Sequence, residues 1–516
     1  MGDAQTVGAV ARQNAERFGA RTAFVDAYRS VSFEDFAARS EGLQVGLRRL
    51  GLAPGQRVAI LSKNRVEYLE CFMAADAGLT VVPLNWRLTP DELSYVLSDS
   101  RPTVLIAEAD FIAAIGPVAD KVSSIHHRLA IAETPPEGWT SYETVTLGGA
   151  GKGQLPDTPD SCDAACIVYT SGTTGRPKGA VLSHTALLAS SRRIAQEMLA
   201  LGPEDVTLAV MPLFHVGGMW FHCYPSFQSG ACTYLQSAFR PDEALAVICD
   251  HGITNVHMAP TMVADILDRP KTQAAAKTLK TIFYAASPMP SEVLKNAMQA
   301  FPTTAFVQSY GSTEAGPICW LSPEDHVAGG APIGGCGKPF IDVDITLRDF
   351  EGNPAAPEAV GEIHVKSASI LTEYWDKPEA TADTKDEGWI ATGDLGRRDE
   401  DGYYFIVDRK NNMIISGGEN IYPAEVEDVL HSIPGVVQAA VIGVPDDRWV
   451  ERVVACIVKS PDADIDEHGV VAGAKARLSS YKCPKEVHFL RQLPRNAAGK
   501  ILKKPLAEAY PFTDTS

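Results

Sequence analysis

Residues 169–180 read Y-T-S-G-T-T-G-R-P-K-G-A, directly behind the apolar run at 164–168. Three glycines, five hydroxyl residues, an arginine and a lysine share this short stretch. Glycine lets a backbone turn tightly and approach a ligand closely. Successive N–H groups and hydroxyls can cradle phosphate oxygens. The stretch therefore reads as a phosphate loop behind a strand, with a plain Gly/Thr/Ser turn as the alternative. It is not the common nucleotide-triphosphatase loop. Pro177 stands where that pattern needs its second glycine, and Gly179 follows Lys178 where it needs Ser or Thr.

Outward from this loop, short apolar runs alternate with amphipathic segments. Strands are expected at 57–61, 79–83 and 103–107, with helices at 64–75 and 90–98. Asn64 is the expected cap of the first helix. Thr89 is the expected cap of the second, with Pro90 at its first turn. After the loop the rhythm returns: helix 183–199, strand 206–211, helix 241–251, then strands 255–259, 281–286 and 304–308. This is the strand–helix–strand pattern of parallel α/β layers, and its length suggests two sheets. Beyond about residue 335 shorter strands take over, at 341–347, 361–366 and 403–407. A compact tail follows, with a helix from Pro423, strands at 439–442 and 453–458, and a helix at 471–478. The fold class expected is α/β with a β-rich subdomain: a large N-terminal domain of stacked α/β sheets plus a β-barrel-like unit, then a small mobile α+β C-terminal domain.

Composition narrows the function. A chain of 516 residues, 45% hydrophobic and 21% charged, is long enough for about three structural units with substantial cores. A formal net charge of -18 argues against nucleic acid held on a broad basic surface. The 10 cysteines are scattered, and the closest pair, Cys162 and Cys166, has no second pair at zinc-site spacing. Residues 1–18 lack the apolar core of a signal peptide, and no apolar stretch is long enough to span a bilayer. The expected location is the cytoplasm.

Four further stretches carry chemistry. S-Y-G-S-T-E-A-G at 309–316 offers Tyr310 as a flat face for a base and Glu314 as a hard-oxygen ligand for Mg²⁺, or else a turn with a surface carboxylate. A-T-G-D-L at 391–395 places Asp394 to accept two ribose hydroxyls. Arg409, between Asp408 and Lys410, is either a second sugar contact or part of a solvated linker. Lys500, in R-N-A-A-G-K, is a candidate mobile charge for a carboxylate–phosphate centre. His215 in P-L-F-H-V-G-G and His222 do not form a zinc motif, and no G-x-S-x-G elbow supports a serine hydrolase.

Jointly these loops resemble the acyl-adenylate-forming superfamily, which includes acyl-CoA synthetases, beetle luciferases and peptide-synthetase adenylation domains. The resemblance rests on Y-T-S-G-T-T-G-R-P-K-G at 169–179, Y-G-S-T-E at 310–314, T-G-D at 392–394, D-R-K-N-N-M-I-I-S-G-G-E-N-I-Y-P at 408–423 and Gly-Lys at 499–500. It implies an N-terminal domain at 1–408 and a mobile C-terminal domain at 409–516. It also implies a carboxylic acid activated by Mg²⁺ and ATP, then transferred to CoA with release of AMP. Thr170, Ser171, Gly172, Thr173, Thr174, Gly175 and Lys178 take the phosphate-loop role, with Thr170 and Glu314 at the metal. Tyr310, Gly311, Ser312 and Thr313 match the adenine segment, and Asp394 and Arg409 the ribose contacts. Lys500 matches the adenylation lysine, and His215 an aromatic gate. Gly417 and Gly418 match the CoA path. The hinge position is Asn411, where relatives commonly carry Asp or Lys.

Peptide-synthetase domains usually place Asp at the position of Val216, where it pairs with a substrate ammonium. Val216 cannot satisfy a buried cation, so amino acids are unexpected substrates. The expected acyl lining is Val216, Met219, Trp220, Met258, Met262 and Ala285 beside His215, suited to a hydrophobic fatty or aryl tail. Alternatives are an acyl-AMP ligase loading the pantetheine thiol of an acyl-carrier protein, and an inactive nucleotide-binding regulator. A homodimer is compatible with the resemblance.

Overall fold

A computed structural model describes residues 4–149, 151, 157–170, 176–446, 448–495 and 501–512. Two compact units emerge, one of residues 1–345 and 365–390, the other of 346–364 and 391–516. These limits differ from the expected division at 408/409.

The first unit holds two large sheets. One has eight strands in the order Glu373–Tyr374, Lys178–Ser183, Ala164–Thr170, Thr80–Pro83, Arg57–Leu61, Val104–Glu108, His127–Ile131, Thr140–Ser141. Its central strands are parallel and buried along their length, as Val/Ile/Leu-rich runs covered on both faces should be. The other has nine strands, with a parallel centre formed by Ala305–Ser312, Thr281–Tyr284, Asn255–Met258, Val206–Ala209 and Cys232–Leu235. Helix His184–Arg192 touches strands of both sheets. Parallel α/β sheets place ligands at the carboxyl ends of their strands. Tyr310 to Ser312 occupy such an end, on Ala305–Ser312.

Local signals explain many boundaries. Helix Pro90–Ser100 starts with a full capping box, the Thr89 hydroxyl meeting the Glu92 N–H while the Glu92 carboxylate accepts from the Thr89 N–H. Asn64 does not cap. The helix begins at Val66 behind Arg65, and Asn64 instead donates to Met211 O (2.9 Å) and accepts from Leu213 N (2.9 Å). The expected helix 183–199 is α-helical over His184–Arg192 and then widens to a π-helix over Arg193–Met198. There Arg193 is buried and pairs with Asp342 while donating to Ser369 Oγ at 2.6 Å.

A five-stranded sheet follows, containing Asp344–Arg348, Gly361–Lys366, Trp389–Arg398 and Tyr404–Arg409. The tail forms another five-stranded sheet, built on the long antiparallel pair Val436–Asp446 and Val450–Lys459 and packed under helices Pro423–His431 and Glu467–Lys475. All ten cysteines are free and most are buried. Among the described residues no helix is long and apolar enough to cross a membrane.

Candidate active site

Strands Ala164–Thr170 and Lys178–Ser183 pair antiparallel, with Thr170 opposite Lys178. Ser171, Gly172, Thr173, Thr174 and Gly175 lie outside the described residues, as does Lys500. The rims of the loop are well held. Tyr169 OH donates to Asp99 Oδ2 (2.7 Å), Tyr95 OH to Pro177 O (3.0 Å), and Trp375 N to Gly179 O (2.7 Å). Lys377 Nζ braces the same Asp99 at 2.8 Å.

The rim converges on Glu314. Thr170 Oγ1 donates to Glu314 Oε1 at 3.3 Å, and Tyr374 OH donates to the same oxygen at 3.0 Å. Glu314 O accepts from Leu371 N at 2.7 Å, which fixes the backbone as well. The Lys178 ammonium sits 4.9 Å above the Tyr374 ring. Burial, and then the Glu314 charge, push the Tyr374 hydroxyl well above its ordinary pKa, so it stays a donor. The structure thus brings Thr170 and Lys178 together with Glu314, which lies far from both in sequence. Tyr374 escaped sequence reading. Its only local cue is a short aromatic pair, Tyr374-Trp375, on an edge strand.

The segment around Tyr310 is a tight hairpin. Gly311 opposes Pro317, and a Cβ at Gly311 would collide with Gly316 O. Gly316 itself has φ +72, a left-handed conformation natural to glycine. Ser312 Oγ accepts from Ala315 N at 3.1 Å, and Thr313 is half-buried. Tyr310 is half-buried.

His215 precedes the short helix Val216–Gly218, which widens into a π-helix over Met219–Cys223. Its ring packs on Phe214 with centroids 4.4 Å apart. Burial, with the Arg87 guanidinium second, holds its pKa at about 4, so it is neutral near neutrality. A crevice beside it is lined by Val216, Trp220 and Phe221 together with Ser312, Thr313 and Gly316. The segment after His215 and the hairpin around Ser312 therefore share one surface. Met219, Trp220 and Ala285 are buried.

Met258 of the expected acyl lining is a core residue. It is fully buried in a core with Val256, Val263, Ile266 and Ile282, and Met262 packs against that core. The neighbouring His257 turns to the other face of the strand, where it stacks on Phe283 and meets Gly217. Side chains alternate along a strand, so Met258 and His257 cannot face the same cavity.

In the second unit, Asp394 and Arg409 are register partners on adjacent strands and form an ion pair at 2.7 Å. Asp394 is 3% exposed and its N–H meets Thr392 Oγ1 at 3.1 Å. Arg409 is thus not a solvated linker residue. Asp408 is also engaged: it accepts from Arg409 N (2.6 Å), from Asn412 Nδ2 (3.1 Å) and from Ala424 N (2.7 Å) in the first turn of helix Pro423–His431. Asn411 lies in the 3₁₀ turn Lys410–Asn412. Lys410 pairs with Glu362 at 2.7 Å. Burial works to raise Glu362, but hydrogen bonds from His364 and Lys410 outweigh it and hold the carboxyl at about 2. Gly417 and Gly418, with φ +62 and +87, form the turn of the Ile414–Ser416 and Glu419–Ile421 hairpin. An antiparallel bridge joins Arg495 to Ile501 on either side of the segment that carries Lys500.

The family model of AMP-binding enzymes matches residues 11–375, and that of the AMP-binding enzyme C-terminal domain matches 425–500. The chain is 37% identical over 493 residues to a fatty acid–[acyl-carrier-protein] ligase of Streptomyces coeruleorubidus, covering 93% of this chain and 92% of that protein. It is 38% identical over 480 residues to a feruloyl-CoA synthase of an Amycolatopsis species, covering 92% and 93%. Among solved structures, ATP-bound MatB from Rhodopseudomonas palustris superposes with a TM-score of 0.88 at 29% identity, covering 98% of this chain and 99% of that one.

Proposed function

Since the chain belongs to the family of AMP-binding enzymes, we propose that it is an ATP-dependent ligase joining a hydrophobic fatty or aryl carboxylic acid to CoA. The acid first attacks the α-phosphate of ATP, giving an acyl-adenylate and pyrophosphate. The CoA thiol then attacks the acyl carbon and AMP leaves. The observation that carries this reading is the meeting of Thr170, Lys178 and Tyr374 around Glu314. A relative that is a feruloyl-CoA synthase supports the thioester product.

A Mg²⁺ ion fits the donors present. Glu314 offers hard carboxylate oxygen and Thr170 a hydroxyl on the same side. Mg²⁺ binds through one or two carboxylates and keeps phosphate oxygens and water for the rest. Among the described residues no cluster of three or more His, Cys, Asp or Glu offers a competing metal site. When bound, the ion would neutralise phosphate charge. The remaining work falls to the chain. Tyr374 aims Glu314, and Lys178 supplies positive charge at the loop rim. Tyr310 stacks on adenine while Asp394 accepts the ribose hydroxyls, oriented by Arg409. Lys500 offsets the negative charge that builds where carboxylate oxygen meets the α-phosphate. Residues 409–516 act as the mobile part, hinged at Asn411, and bring Gly417 and Gly418 to the thiol path in the second half-reaction.

A second reading has its own support. The fatty acid–[acyl-carrier-protein] ligase relative favours a carrier-protein pantetheine as acceptor. One experiment separates the two. The full chain is incubated with pooled acids, ATP and Mg²⁺, and with either CoA or a phosphopantetheine-loaded carrier protein, and products are identified by mass spectrometry. Acyl-CoA is expected. Acylated carrier without acyl-CoA would favour the second reading. No acid-dependent ATP–pyrophosphate exchange across fatty and aryl acids would defeat both.

A further inference from the structure

The strand Asn255–Met258 and the π-helix Met219–Cys223 put two histidines together in the apolar interior. His222 and His257 are each 1% exposed, and their ring centroids lie 6.0 Å apart. Burial drives both pKa values down, His222 to about 3 and His257 well below its ordinary range with His222 adding to the effect, so both rings are neutral. Neither belongs to the catalytic roles assigned above.

The tautomer of His257 follows from its partner. Nδ1 lies 3.0 Å from Gly217 O. A carbonyl only accepts, so Nδ1 carries the proton, and Nε2 of the neutral ring presents a lone pair. Among the described residues that Nε2 has no hydrogen-bond partner, and neither does His222 Nε2. Buried polar atoms normally have partners, and two orphans on neighbouring rings mark one polar spot. Beside it the space is open. A Cβ placed on Gly217 would meet nothing within 4 Å except His257 Cε1, at 3.5 Å. Gly217 itself follows Val216, which lines the crevice shared with Ser312 and Thr313. Gly217 lies in the short helix Val216–Gly218, directly before the π-helical turn Met219–Cys223 that carries His222.

We infer that His257, with His222 beside it, is the hydrogen-bonding end of the acyl site, so that the acid this chain activates carries a neutral donor, a hydroxyl or an N–H, remote from its carboxyl group. The inference rests on the ligase reading above. A lone pair at Nε2 calls for a donor, which a plain alkyl or aryl tail does not have. A site built to bond a substrate O–H or N–H discriminates strongly against the analogue that lacks it, since the buried atom is then left unpaired.

The test measures kcat/KM in acid-dependent ATP–pyrophosphate exchange for pairs matched except for the donor. The pairs are para-hydroxycinnamate and cinnamate, indolylacetate and naphthylacetate, and ω-hydroxyhexadecanoate and hexadecanoate. Para-methoxycinnamate controls for size without a donor. The pair that shows the preference identifies the source of the donor. The expected result is a preference of at least about tenfold for the donor in one pair or more. H257L should bring that ratio to within about threefold by losing rate on the donor acid alone, and H257Q, which keeps an acceptor, should recover part of it. Equal use of both members in every pair, or a preference that survives H257L, overturns the inference. Good turnover of plain acids without discrimination does so while leaving the ligase reading intact. Failure of every acid removes both. The wild-type comparison needs no variant to fold.

Discussion

Replacing Tyr374 with Phe tests the core of the active-site reading. The ring is retained, so the packing of a residue only 7% exposed and the Lys178 contact at 4.9 Å both survive. What disappears is one O–H donor, 3.0 Å from Glu314 Oε1. A hydrogen bond to a charged group contributes about 1.5–3 kcal/mol. Glu314 is half-buried and keeps Thr170 as a second donor at 3.3 Å, which places the loss at the lower end. About 1.4 kcal/mol corresponds to tenfold, so kcat/KM for Mg·ATP should fall about tenfold. The assay is ATP–pyrophosphate exchange with one saturating acid, over a range of Mg·ATP, alongside thermal unfolding. Y374F should melt close to the parent, since no cavity forms. T170V should cost a similar factor, and the double variant less than the product of the two, because both donors act on one oxygen. Unchanged kcat/KM with a lowered melting temperature would refute the argument, because Tyr374 would then serve only the fold.

Three other outcomes follow from the same structure. K500A should nearly abolish adenylate formation while leaving thioester formation from supplied acyl-adenylate much less affected, and equal losses in both half-reactions would contradict the proposed role. Free amino acids should support almost no exchange, because Val216 offers nothing to an ammonium group; strong exchange with any one of them would refute this. Folding holds His222 neutral, with a pKa of about 3. The unfolded chain therefore takes up the extra proton below about pH 6.5, and stability that is intact above that pH is lost toward acid, by up to about 1.4 kcal/mol per pH unit for this residue. H222Q, measured by urea unfolding at several pH values from neutral to mildly acidic, should show a shallower decline than the parent.

Local punctuation made much of the fold legible. Strand Arg57–Leu61, helix Pro241–His251 and strand Gly361–Lys366 begin and end where Pro, Gly and the apolar period say they should. Candidate site residues could be picked out wherever a loop carries its own chemistry, as in 310–314 and 392–394. Long-range pairings left no such signal. Asn64 looks like a helix cap, yet it ties down Met211 and Leu213, and nothing near it in sequence announces that. Tyr374 reaches Glu314 across 60 residues. In the N-terminal region Arg39, Glu70 and Glu143 interlock, as do Arg29, Arg65, Glu67 and Glu108, and no local motif announces these pairings. Glu70 there is fully desolvated and its carboxyl is raised by burial despite Arg39. Hydrophobicity alone does not say which strand face Met258 takes. The alternation Val256, His257, Met258 held that information.

The Asp408 carboxylate grips both sides of the turn at 409–411, through Arg409 N before it and Ala424 N beyond it. If the later residues swing about Asn411 as proposed, both Asn412 Nδ2 and Ala424 N must leave Asp408, exposing a helix-start amide and a carboxylate oxygen together. Reorientation should therefore proceed in discrete jumps between two settled arrangements, with a waiting time set by this one latch. Weakening it with D408N would speed the exchange, and the gain would appear in turnover only if reorientation, not bond-making, is the slow event.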